Sequence, residues 1–251
     1  MRADQIALQL WTVRDLAAVD LPGTLTAVAA AGYRSVELAG LHETATDDLA
    51  RLLEQAALQP VAAHVGVDRL RADLPAVADR HAALGCDRVI VPSLPEEERR
   101  TADDVRRFAS QLNAIGGELA DRGIRLGYHN HDFEFAPIDG TTAWDVLLDE
   151  LGPDVQLELD VFWASVGGRD PAAVIRDGGS RIRLLHMKDR AAGPELRDAP
   201  AGAGVLDLEG IVAAGRDAGV EWYVAEQDEP DDALADISRA YAYLHELAST
   251  V

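Results

Sequence analysis

The sequence predicts an α/β chain folded as a single (β/α)8 TIM barrel, and three observations predict it. Short apolar runs of strand length alternate with helical runs along the chain, eight of each. Glycine stands just past most of the helical runs, where a residue tolerant of left-handed backbone ends a helix. The length, 251 residues, is close to what such a barrel requires.

The first strand is expected over 6–13, the apolar run IALQLWTV. A helix over 21–31 opens on Pro22-Gly23 and stops at Gly32. Strand 35–39 and helix 45–57 follow, then strand 60–65 and helix 71–84, which stops at Gly85. Strand 88–92 leads into the long helix 102–122, ended by Gly123. Strand 125–129 precedes helix 142–151, stopped by Gly152, and strand 155–161 precedes a helix over 171–176. Pro171 opens that helix at a position whose missing N–H is not needed. After strand 182–188 comes a stretch, 189–207, with Gly193, Pro194, Pro200, Gly202 and Gly204, read as a mobile loop over the C-terminal face. Helix 208–218, stopped by Gly219, strand 222–227 and helix 233–247 complete the eight units. A doubly wound open sheet would announce a Gly-rich phosphate turn after its first strand, whereas QLWTVRD stands there. No linker or shift of composition divides the chain, so 1–251 reads as one domain.

Composition excludes several function classes. Hydrophobic residues are 48% and charged residues 27%, mean hydropathy is −0.07, and no apolar run approaches the ~20 residues of a membrane span. The N-terminal segment lacks a basic region followed by a long apolar stretch, so no secretory signal is expected. One cysteine, Cys86, permits no internal disulfide, which fits a reducing, cytoplasmic location. The formal net charge is −21. Nucleic-acid binding draws its affinity from cationic groups that displace counterions, so no nucleic-acid partner is expected, and no membrane partner. Of the 23 basic residues all but Lys188 are arginine. Such a lysine can stand where a compact ammonium serves and a planar guanidinium does not.

Barrel enzymes place their chemistry at the C-terminal ends of the strands, and polar residues crowd there. Strand one ends near Gln9, Trp11 and Arg14, strand two carries Glu37, and strand three ends at His64. Strand five ends in Tyr128-His129-Asn130-His131-Asp132-Phe133-Glu134, strand six in Glu158-Leu159-Asp160, strand seven in His186-Met187-Lys188, and strand eight in Glu226-Gln227-Asp228. Carboxylates and imidazoles at the end of an apolar strand lose water at a cost, and converging carboxylates repel. One divalent metal ion resolves both. Carboxylates plus imidazole suit Mn²⁺ first, then Co²⁺, Zn²⁺ or Mg²⁺, with a position open for substrate oxygens. Glu158 reads instead as part of a polar barrel layer or an ion pair. The run Asp228, Glu229, Asp231 and Asp232 reads as a solvated, helix-capping stretch. His42, His81 and His245 read as surface residues.

At these residues the chain resembles the xylose isomerase-like TIM barrel superfamily, in particular its sugar phosphate isomerases/epimerases. The segments that carry the resemblance are QLWTVRD at 9–15, YHNHDFEF at 128–135, LELDVFWASVGGRDP at 157–171, LLHMKDR at 184–190, GAGVLDL at 202–208 and AEQDE at 225–229. The resemblance implies one catalytic metal held by Asp160, His186 and Glu226. Ketose epimerases of the superfamily carry a glutamate at the end of strand five, where this chain has His129. The HNHDFEF pattern implies Glu134 as the fourth ligand, with His129 as the alternative.

The expected chemistry follows. The metal polarises the carbonyl of a sugar or keto-sugar and stabilises the enediolate formed when the adjacent C–H loses its proton. His129 or His131 is the expected base, Glu226 serves as ligand and catalytic group, and Lys188 donates to a substrate oxygen. Trp11, Arg14, Glu37 and His64 are expected to shape the sugar pocket. Return of the proton gives isomerisation or epimerisation, and loss of a β-substituent gives the lyase or dehydratase alternative. A metal-dependent endonuclease at abasic sites and a non-catalytic sugar-binding barrel are the other readings. Barrels of this sort often pair, so a homodimer is the assembly to test.

Overall fold

Runs such as Arg88–Val91 and Ile182–His186 are buried almost throughout, as a parallel strand covered on both faces must be. Eight of them close into a barrel: β1 (Ile6–Gln9), β2 (Ser35–Leu38), β3 (Gln59–His64), β4 (Arg88–Val91), β5 (Arg125–His129), β6 (Val155–Asp160), β7 (Ile182–His186) and β8 (Trp222–Ala225). Neighbours follow chain order, and β1 pairs in parallel with both β2 and β8, which completes the ring. The computed structural model describes residues 1–41 and 43–250, without the side chain of Thr250. His42 lies outside them.

The interior of the barrel is layered. Ala7, Val61, Ala62, Ile90, Leu184 and Val224 form a small apolar cluster of their own, apart from the larger core between strands and helices. Gly127 belongs to this packing, since a Cβ there would stand 2.4 Å from Ile90 Cδ1. Toward the C-terminal ends the odd strands carry Gln9, His64, His129 and His186, two residues beyond Ala7, Ala62, Gly127 and Leu184, and Glu37 and Glu158 join them from β2 and β6. At the opposite end Glu221 accepts hydrogen bonds from Arg88, Arg125 and Arg183.

Several expectations from sequence are corrected. The first strand stops at Gln9, not at 13, because the Gln9 side chain accepts the Trp11 N–H at 3.2 Å and turns the chain into a 3-10 helix. A short helix, Arg14–Val19, follows. Strand six stops at Asp160, whose Oδ1 caps a further short helix, Val161–Val166, through Trp163 N at 2.9 Å. Helix 71–84 is longer and broken: it spans Val67–Ala83 with Asp73 out of helical conformation just before Leu74-Pro75. Gly219 ends its helix at φ +82°, as expected, but Gly152 does not, since Leu151 is already extended. Stretch 189–207 is tied down. The buried Asp189 carboxylate accepts the backbone N–H groups of Arg190, Gly202, Gly204 and Leu206 at 2.8–3.2 Å, and Asp189–Arg190 pairs with Asp198–Ala199. His81 is buried with Nδ1 2.7 Å from Val77 O, whereas His245 is exposed. Among the described residues no helix is long and apolar enough to cross a membrane.

Candidate metal centre

The ends of β5 to β8 bring buried donors together above the apolar layer. Asp160, His186 and Glu226 offer atoms that lie within 4.8 Å of one another. His186 Nδ1 is 2.6 Å from Glu226 Oε2, and His129 Nε2 is 3.9 Å from Asp160 Oδ2. Lys188, almost fully buried, sets its Nζ 3.0 Å from Asp160 Oδ2, 2.8 Å from Glu226 Oε2 and 2.7 Å from Asp228 Oδ2. Beneath these groups His64, His129, Glu158 and His186 form a second set of close donors. Its centre is Glu158 Oε2, 2.8 Å from His64 Nε2, 3.1 Å from His129 Nδ1 and 3.1 Å from His186 Nε2. Glu37 joins from β2, with Oε2 2.7 Å from His186 Nε2 and 3.0 Å from Gln9 Nε2.

Carboxylates outnumber the other charged groups at these strand ends, although Glu37 and Glu158 work against burial to raise the pKa values of His64 and His186, as Glu226 also does for His186, and so offset part of the excess. Glu37, Glu158, Asp160, Glu226 and Asp228 bring five carboxylates to this one place, against the Lys188 ammonium and three imidazoles. Burial opposes the ammonium, yet Asp160, Glu226 and Asp228 hold the Lys188 pKa well above its ordinary value. Burial, and to a smaller extent the neighbouring Glu226 and Asp228, lift Asp160 to about 6 against the pull of Lys188 and His186. Burial and then the neighbouring His186 hold His129 well below the usual imidazole range, so its ring is neutral and can ligate.

The residues fit a divalent ion. Asp160 Oδ2 is buried and takes no hydrogen bond of good geometry, although Lys188 stands in ion-pair contact with it. The spread of the donor atoms is one that bonds of roughly 2.0–2.2 Å to a common ion can span with small side-chain shifts. Mixed carboxylate and imidazole donors suit Mn²⁺, Co²⁺ and Zn²⁺.

This group opens onto a cavity of about 380 Å³ whose wall includes Trp11, His64, His129, His131, Lys188 and Asp228. A wider concavity of about 740 Å³ at the other end of the barrel, lined by Arg2, Arg216 and Trp222 among others, brings no comparable set of ligands together among the described residues. His131 stacks on Phe133, with ring centroids 5.5 Å apart, and lies 5.7 Å from Trp163. Burial, and then the Lys188 charge, push its pKa down to about 4, so it is a free base at neutral pH.

The sequence model of the xylose isomerase-like TIM barrel matches residues 25–247. The chain belongs to this family. Over 152 residues it is 26% identical to an inosose dehydratase of Lacticaseibacillus casei, a match covering 54% of this chain and 50% of that protein. The chain thus aligns with about half the length of the curated relatives it matches. The solved structure of a sugar phosphate isomerase/epimerase from Parabacteroides distasonis ATCC 8503 superposes with a TM-score of 0.85 at 25% identity, covering 99% of this chain and 95% of that one. The IOLI protein, solved with a binding zinc atom, superposes with a TM-score of 0.76 at 18% identity over 98% of each chain, a likeness of fold.

The structure brings most of the residues singled out from sequence to one place, with two exceptions. Glu134 joins neither donor set: its buried carboxylate accepts from the Tyr128 hydroxyl and from His131 N at 2.8 Å, and so supports the backbone of the strand-five turn. Burial lifts its pKa to about 7. Arg14 turns away from the cavity, donates to Trp11 O at 3.0 Å and lies over the Trp11 ring. Glu37 sits under the cavity floor, not in its wall. Glu158 makes the ion pairs its sequence reading allowed, but as the hub of three imidazoles. Asp228, read as a solvated cap, reaches Lys188 and lines the cavity. Asn130, named at the strand-five end without a role, ties the site together: its Oδ1 accepts Asp160 N at 2.9 Å and joins the ends of β5 and β6.

Proposed function

We propose that this protein is a divalent-metal-dependent enzyme that removes the proton beside the carbonyl of a small keto-sugar or cyclic polyol ketone and expels a β-hydroxyl as water. The observation that carries the reading is the convergence of Asp160, His186 and Glu226 on a cavity whose wall holds a free base, His131, and a buried ammonium, Lys188. The ligands we assign are Asp160, His186, Glu226 and His129, with Mn²⁺ as the resident ion. When bound, the ion would act as a Lewis acid on the substrate carbonyl and steady the negative charge that develops beside it.

The protein's own residues then have distinct tasks. His131, unprotonated near neutrality, accepts the proton from the carbon next to the carbonyl. Lys188 donates a proton to the departing hydroxyl, and Asp228 and Glu226 steady the ammonium before transfer. The substrate loses one hydrogen and one hydroxyl, and the bond between those carbons becomes a double bond. Trp11 and Trp163 offer aromatic faces to the apolar side of a ring. Among the described residues no arginine lines the cavity, and the many carboxylates there disfavour a phosphorylated substrate.

The name of the Lacticaseibacillus relative supports elimination. That of the Parabacteroides protein supports a second reading on the same residues, isomerisation or epimerisation, in which His131 or His129 returns the proton to carbon. Incubation of Mn²⁺-loaded protein with an inosose and with unphosphorylated keto-sugars in D₂O separates the two. Elimination gives an unsaturated ketone that absorbs in the ultraviolet; isomerisation gives deuterium at carbon without it. Lys188→Met should lose elimination at least 100-fold while retaining deuterium exchange into the substrate. Neither product nor exchange from any of these substrates would reject the proposal. The partner we propose is this small molecule alone, in the cytoplasm, with the chain as a homodimer.

A further inference from the structure

We infer that Glu158 is the positioning residue that decides which nitrogens of His129 and His186 face the metal ligands. The inference rests on the metal reading above and assigns the ring tautomers that reading needs. Glu158 is fully buried, and one of its oxygens, Oε2, meets three imidazole nitrogens: His64 Nε2 at 2.8 Å, His129 Nδ1 at 3.1 Å and His186 Nε2 at 3.1 Å. An ionised carboxylate can only accept, so a ring nitrogen held against it in a dry site carries the hydrogen.

A second chain of contacts fixes the same sense for His186. Trp11 N donates to Gln9 Oε1 at 3.2 Å, which turns the amide nitrogen of Gln9 toward Glu37 Oε2 at 3.0 Å. Glu37 Oε2 therefore also stands as an acceptor, 2.7 Å from His186 Nε2. His186 Nδ1 also meets a carboxylate, Glu226 Oε2 at 2.6 Å, and without an ion it carries a hydrogen as well. Because Nε2 faces two carboxylates that are not ligands, Glu37 and Glu158, Nδ1 is the nitrogen that would give up its hydrogen to ligate beside Glu226. With Nδ1–H of His129 facing Glu158, its lone pair is on Nε2, the nitrogen on the Asp160 side.

One buried carboxylate thus serves two ligand histidines from the strands on either side of its own, β5 and β7, and it keeps their basic nitrogens turned to the same side. A carboxylate behind a ligating histidine fixes the ring and raises its basicity, and its loss typically weakens metal binding 10–100-fold. The opposite tautomers would instead turn the lone pairs onto the Glu158 side and place a metal among His64, His129, Glu158 and His186. The chemistry of the two arrangements is exclusive, because each neutral ring has one lone pair.

The test uses histidine-labelled protein loaded with diamagnetic Zn²⁺, read by long-range proton–nitrogen NMR, together with Zn²⁺ titration calorimetry. The wild-type protein should show His129 protonated at Nδ1 and His186 at Nε2. Glu158→Gln and Glu158→Leu should weaken Zn²⁺ binding 10–100-fold, the leucine variant more, while the metal-free melting temperature of Glu158→Gln stays at or above that of wild type. The opposite tautomers in the wild-type protein overturn the inference while leaving a metal protein. A Zn²⁺ Kd within twofold of wild type in Glu158→Gln overturns it as well and leaves Glu158 a packing group. Wild-type protein that binds no Zn²⁺ overturns the metal reading itself. Should the leucine variant not fold, the wild-type spectrum and the glutamine variant decide the question.

Discussion

Replacing Glu221 by Gln removes the charge that three guanidinium groups share at the N-terminal end of the barrel. Arg88 is the one that suffers, because its side chain is 0% exposed and, among the described residues, Glu221 is the only carboxylate within 4.0 Å of it. Its Nε and Nη1 already lack hydrogen-bond partners. Stranding one member of a buried pair costs about 3–5 kcal/mol. Glu221 itself is 30% exposed, and Arg125 and Arg183 can turn to water, so the expected loss is about 2–3 kcal/mol. At this chain length each kcal/mol shifts the melting temperature by roughly 2–4 °C, which gives a fall of roughly 4–12 °C. Burial works to raise the Glu221 pKa, but hydrogen bonds from Arg183 and Arg88 carry it down to about 2. A carboxylate depressed in the folded state stabilises it above the unfolded pKa, and that contribution disappears as pH falls through the folded value. The gap between wild type and Glu221→Gln, followed by circular dichroism melts, should therefore be full at pH 7 and shrink as pH falls from ~4.5 toward 2. Equal melting temperatures at pH 7, or a gap that widens in acid, would refute the reasoning.

Other predictions concern the site and its loop. Asp189→Ala removes an acceptor shared by four backbone N–H groups, at a cost of about 2–4 kcal/mol. Trypsin should then cut within 190–206 at least tenfold faster, at Arg190 or Arg197; an unchanged digestion rate would show that Asp189 does not hold the loop. Arg14→Ala, outside the cavity, should leave KM within threefold of wild type, and a tenfold rise would return Arg14 to the substrate site. His131→Gln should abolish deuterium exchange without altering Zn²⁺ affinity by more than threefold, and exchange persisting in this variant would point to His129 as the base.

The order of strands and helices was legible because each strand is a short buried run and most helices end on a glycine such as Gly219. The end of the barrel that carries chemistry was legible too, since His64, His129, Asp160, His186 and Glu226 all fall at strand termini. What escaped depends on contacts far apart in sequence. Periodicity carried the first strand to residue 13, but the Gln9 side chain turns the chain at Trp11. Glu134 and His129 are both plausible ligands on one strand end, and only the fold shows that Glu134 is held by the Tyr128 hydroxyl and His131 N and joins neither donor set. The role of Glu158 needs three histidines from β3, β5 and β7, and no local pattern marks it. The ordering of 189–207 by Asp189 was hidden because glycines and prolines there read as looseness, whereas Gly202 and Gly204 bring their N–H groups onto one carboxylate.

The most direct measurement is the metal content, by elemental analysis after loading with Mn²⁺ and gel filtration, of wild type, His129→Ala, Glu226→Ala and Glu134→Gln. The account predicts about one ion per chain in wild type and in Glu134→Gln, and loss of most of it in His129→Ala and Glu226→Ala, whose circular dichroism should remain that of a folded barrel. An ion kept by His129→Ala and lost by Glu134→Gln would contradict the ligand set, and wild-type protein retaining no ion would contradict the metal site altogether.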